Sequence, residues 1–150
     1  MTSGAIDPSN PVVALCAEGM SREGTPADAL RLFEQAWALR RDDYDAAIAA
    51  HFIARHQPTL AATLHWNTLA VRHAESASDG RASALFPSLY LNLGDAQANA
   101  GDVMAGAESV RHAAAHLASL PHDGYREFVA LGIRRLAARL GVTCEVDEPS

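Results

Sequence analysis

The chain contains no lysine. Its 12 basic side chains are all arginine, set against 18 carboxylates, for a formal net charge of −6. Binding to nucleic acid through phosphate contacts needs a basic stripe, and this balance argues against that role. Long apolar runs are also missing; none reaches the roughly 18–20 residues that span a bilayer. The start, MTSGAIDPSN, has neither a basic leader nor an apolar segment of the secretory kind. These absences predict a cytoplasmic protein away from membranes. Cysteine is scarce: Cys16 and Cys144 have no ligand spacing, so neither a disulfide framework nor a zinc site is expected. A glycine-rich phosphate loop, a serine nucleophile elbow and a paired-carboxylate motif are all lacking. No cofactor, metal or catalytic residue is therefore assigned. Alternating polar and apolar residues occur nowhere, which argues against a sheet.

Alanine is abundant, with 31 residues in 150. It favours helix and lets helices approach closely. Hydrophobic residues make up 49% and charged residues 20%, enough apolar surface for a packed core. Apolar spacing and helix punctuation predict seven helices in one domain over residues 11–140, with a flexible lead at 1–10 and a flexible acidic tail at 141–150. The first helix opens at Pro11 and the second at Pro26 behind Thr25 as N-cap. The third runs from about Asp43 to Arg55 and the fourth from Leu60 to about Ser76. Ser78-Asp79-Gly80 breaks the chain. The fifth then runs to Ala100, with Pro87 in its first part, and the sixth from Val103 to Leu120. The last, Tyr125 to Leu140, carries Phe128, Val129, Ile133 and Leu136 as an apolar stripe, with Arg126, Arg134, Arg135 and Arg139 outside it. Gly141 is placed to end it.

Several of these positions recur at a fixed offset. Ala17 and His51, Gly24 and Pro58, Phe33 and Asn67, and Ala36 and Ala70 are each 34 residues apart, the tetratricopeptide period. A third copy follows after a longer interval, with extra residues around Ala77 to Pro87. It places Tyr90, Leu93-Gly94, Gly101, Gly106 and Ala113 in the motif positions. The first copy supplies Cys16-Ala17, Met20, Gly24, Ala29, Phe33 and Ala36. The middle copy departs, with His51, Thr63 and Asn67 in place of small or aromatic residues. The chain thus resembles the tetratricopeptide repeat family, in the form of a small, stand-alone, bacterial-type member. The resemblance implies an all-α, short right-handed solenoid of three helical hairpins with a C-terminal capping helix.

It also implies that the first helix of each hairpin lines a concave groove, with Ala14, Glu18, Ser21, Ile48, Ser88 and Leu91 among the facing residues. A protein or peptide partner, or a second copy of the chain, is expected there. Asp45, Phe52, Arg55, Asn92 and Asp95 are the partner-binding candidates: Phe52 for apolar contact, Arg55 as a planar fork for a carboxylate or carbonyl. The alternative is a small-molecule or enzyme pocket around His51, Arg55, His65 and Asn67, since a buried histidine can act as acid or base. The bland reading of His51 is a structural one, hydrogen-bonded to Thr63 or Asn67 across a helix crossing. His112 and His116, at i and i+4, share a helix face, but two ligands do not make a metal site. Trp66 reads either as packing or as an exposed anchor.

Overall fold

The computed structural model describes residue 7 and residues 9–78, 80–144 and 146. They form seven α-helices: α1 (Pro11–Met20), α2 (Pro26–Ala38), α3 (Asp43–Ile53), α4 (Leu60–Ser76), α5 (Phe86–Asn99), α6 (Val103–His116) and α7 (Gly124–Leu140). Short 3₁₀ turns occupy Ala54–His56, Gly80–Ala84 and Leu117–Ser119. No strand occurs among the described residues, so the all-α expectation holds. None of their helices is long and apolar enough to cross a membrane.

Side-chain caps start five of the helices. Asn10, Asp42, Thr59, Asp102 and Asp123 each accept a bond from a backbone N–H in the first turn, at 2.8–3.1 Å. Thr25 makes no such bond; Pro26 opens α2 instead. The fifth helix begins later than its sequence pattern, at Phe86. Pro87 suits a first turn because it has no N–H to offer. The sixth ends earlier, at His116. Pro121 pushes Leu120 into an extended conformation, so the chain tightens into a 3₁₀ turn before it.

Each helix packs on the next, and α1 also meets α3 as α5 meets α7. The closest pair is α5–α6. A Cβ added to Gly106 would lie 3.1 Å from the Gly94 carbonyl oxygen, so these two glycines set the helix separation. One buried cluster gathers Val12, Cys16, Phe33, Tyr44, Ile48 and Ile53. A second runs through Val71, Leu93, Val110, Ala113, Ile133 and Leu136. Trp37, Trp66 and Leu85 pack against both. Trp66 meets Trp37 edge-on at 5.1 Å, which settles it as packing rather than an exposed anchor.

Two expectations about α7 are corrected. Phe128 is 74% exposed, whereas Arg126 is buried and donates from Nη1 to the Leu120 carbonyl at 2.7 Å. The apolar residues of α7 cover more of its circumference than α5 and α6 can reach. The neighbours take the side bearing Val129, Ala130, Ile133, Leu136 and Ala137. The chain ends need similar adjustment. Asn10, assigned to the flexible lead, is buried, and its Nδ2 donates to Asp45 Oδ1 at 2.8 Å. Val142, Cys144 and Val146, assigned to the flexible tail, pack partly buried against the second cluster. Most of the residues assigned to the lead, and much of the tail, lie outside the described residues.

Candidate partner-binding groove

Three helices and one link expose small and apolar side chains around a common cavity of about 440 Å³. From α1 come Val13, Cys16, Ala17 and Met20, spaced i, i+3, i+4, i+7 and hence on one face. From α3 come Ile48, His51 and Phe52, again i, i+3, i+4. Ala84, Leu85, Ser88 and Leu89 enter from the start of α5 and the turn before it. Leu120, Pro121 and Asp123 from the α6–α7 link, with Tyr125 from the first turn of α7, close the end. The Ser88 and Tyr125 hydroxyls are hydrogen-bonded across this end. The lining is overwhelmingly apolar.

Phe52 stacks on the buried Phe33 at 5.2 Å, and Phe33 stacks on His56 at 5.9 Å. A charged knot lies beside this aromatic column. Arg55 grips Glu23 with two bonds of 2.9 Å, and His56 Nε2 meets the same carboxylate at 2.6 Å. Partial burial of Glu23 works to raise its pKa, but the hydrogen bonds from Arg55 and His56 outweigh it and hold the carboxyl below its usual range. Burial alone pushes the Cys16 thiol up to about 12, so this cavity cysteine is an inert thiol at neutral pH.

His51 is the main polar feature of the wall. Burial, and then the nearby Arg55 charge, lower its pKa to about 4, with Glu23 pulling the other way. Its Nδ1 lies 3.4 Å from Asn92 Nδ2. An amide NH2 can only donate, so Nδ1 accepts, and the neutral ring carries its proton on Nε2. The expected partners Thr63 and Asn67 are not used. Asn67 is buried and donates to the Thr63 carbonyl within its own helix at 3.0 Å, the local satisfaction open to a short amide.

The sequence candidates therefore separate. Phe52 and His51 line the cavity; Asn92 supports His51. Arg55 is committed to Glu23 rather than presented as an open fork. Asp95 is exposed but tied to Arg139 at 3.2 Å and to Asn99 at 3.4 Å. Asp45 is removed from the partner surface altogether. It is fully buried and accepts from Asn10 Nδ2, the Arg41 backbone N–H and Arg41 Nε. Burial acts to raise its pKa, and these bonds more than offset it, leaving the carboxyl below its usual range. The alternative pocket does not assemble: of His51, Arg55, His65 and Asn67, only His51 lines the cavity. His65 is exposed on α4 and touches Trp66 edge-on at 5.6 Å.

On α1 the cavity takes Val13, Cys16, Ala17 and Met20 rather than the predicted Ala14, Glu18 and Ser21. The inward face of the helix is thus offset by about one residue from the expected one. Gly19 explains the difference: it is seated directly against the Phe33 ring, where no side chain would fit, and this contact sets which face of α1 turns inward. The contribution of the α6–α7 link was not anticipated. Its signal in the sequence was Leu120-Pro121, an apolar residue locked in extended conformation beside a turn. No group of three or more metal-ligating side chains occurs among the described residues. Comparison with protein-family models, with curated proteins and with solved structures returns no match to this chain.

Proposed function

We propose that the protein is a binding module, a short tetratricopeptide-like solenoid of three hairpins with α7 as its cap, and that it holds a protein partner in the groove. The 34-residue offset and the successive packing of neighbouring helices support the solenoid reading. The observation that carries the binding reading is the cavity of about 440 Å³ with an apolar wall drawn from α1, α3 and α5. One turn of helix, about 10–12 Å across with a 5.4 Å pitch, fills roughly that volume by itself. The cavity therefore takes protruding side chains from a partner segment rather than the segment itself. Large apolar anchors in a dry pocket supply most of the affinity in such contacts.

The chain's charge selects the flanks of that segment. The net charge is −6, Asp123 lies in the wall, and Arg55 is neutralised by Glu23. The partner is a peptide segment with paired apolar anchors and flanking Arg or Lys, and its association weakens with salt. Selection from a displayed peptide library tests this. Binders should share two apolar residues one helical turn apart with basic neighbours. They should fail to bind an Ala17→Trp variant, whose indole fills the cavity from an exposed position. Binders that ignore Ala17→Trp, or that carry acidic flanks, would overturn the reading.

A further inference from the structure

We propose that the outward face of α7 is a self-association surface on which two copies of the chain pair antiparallel about a two-fold axis through Leu131. This inference is independent of the groove. The face bears Phe128 at 74% exposure and Leu131 at 39%. Scattered exposed apolar residues are ordinary, but a contiguous set on one helix face marks a contact. The helices α5 and α6 lie on the opposite side of α7, and no other helix of the described residues packs on it as closely.

The charges on this face identify the occupant. Glu127, Leu131 and Arg135 follow at i, i+4, i+8, and all three are exposed. Neither the Glu127 nor the Arg135 side chain makes an ion pair or hydrogen bond among the described residues. They are two turns apart, too far to pair within one helix. Leu131 lies midway between them. With Leu131 on the axis, an antiparallel copy sets Glu127 of each chain against Arg135 of the other, giving two ion pairs around the Leu131–Leu131 contact. The same register puts the exposed Gly124 of one copy opposite the exposed Ala138 of the other. Small residues there allow the helices to approach. Phe128 then lies against the opposing helix instead of water. Such a contact is isologous and closes at two chains. One helix face per copy keeps it at the small end of interface sizes, below about 1,200 Å², so the dimer is concentration-dependent.

Sedimentation equilibrium over a concentration series, with the full chain, tests the proposal. The wild type should move from 15.9 kDa toward twice that mass as concentration rises. Leu131→Asp should remain monomeric with an unchanged helical spectrum and melting curve. Glu127→Arg and Arg135→Glu should each weaken the dimer at least tenfold and lose that effect in high salt. The two single variants mixed in equal amounts should pair with each other, because every facing charge is then opposite. Should Leu131→Asp fail to fold, the charge variants and their mixture still decide the matter. A wild type that stays monomeric at the highest concentration would overturn the proposal, as would a dimer untouched by Leu131→Asp. A dimer sensitive to Leu131→Asp but indifferent to both charge reversals would overturn the two-fold register.

Discussion

Replacing Asp45 should damage the fold rather than binding. The carboxylate is fully buried at the start of α3 and accepts three hydrogen bonds of 2.8–3.0 Å, one each from Asn10 Nδ2, the Arg41 N–H and Arg41 Nε. Asp45→Ala leaves the Asn10 amide without its partner, and a buried polar group left unpaired costs about 1–3 kcal/mol. The Arg41 side chain is more than half exposed and recovers water, so its loss adds little. The sum is roughly 1–3 kcal/mol, a substantial share of the 5–15 kcal/mol that holds a typical domain. For a chain of 150 residues this corresponds to a fall of roughly 2–12 °C in Tm. Urea denaturation at several pH values reads the effect directly. The folded pKa of Asp45 is depressed, so its stabilisation is fully present above the unfolded pKa of about 3.9 and is lost as pH falls through the lower folded value. The gap between wild type and Asp45→Asn, measurable at neutral pH, should therefore close in that acid window. An Asp45→Ala protein with unchanged stability at pH 7 would refute the account of a buried acceptor, and a pH-independent gap would refute its ionised state.

Two further outcomes follow from burial elsewhere. His51 has a depressed pKa, about 4, so it stays neutral in the fold while the unfolded chain takes up a proton below about 6.5. Its contribution should be flat above pH 6.5 and should erode stability from there down to about pH 4. A ring NMR titration of His51 with a midpoint near 6.5 would contradict its burial. On α7, Ile133→Ala should cost about 2–5 kcal/mol, since the side chain is fully buried between helices. Phe128→Ala, measured by denaturation at high dilution, should stay within about 0.5 kcal/mol; equal losses would show that the two faces of α7 are misassigned.

The helices themselves were readable because their causes are local. Apolar spacing, Pro11 and Pro26 in first turns, and Gly141 in left-handed conformation (φ 69°) act over a few turns of chain at most. Those signals put the start of six of the seven helices within a residue or so. The face each helix turns inward is a different matter, because it depends on where neighbours arrive. Phe128 and Ile133 look alike in the stripe of α7, and only the position of α5 and α6 separates an exposed ring from a buried branch. Gly19 beneath Phe33 turns a different face of α1 inward from the one the 34-residue offset predicts, a contact between residues 14 apart that no periodicity encodes. Asp45 offers the sharpest case. An acidic residue in a first turn reads as solvent-facing, yet Asn10, 35 residues earlier, reaches it and turns a surface charge into a buried acceptor. The cavity is of the same kind. Its walls come from four separate stretches of chain, and each wall is visible in the sequence only as a short apolar spacing; that they enclose one space is a consequence of packing between them.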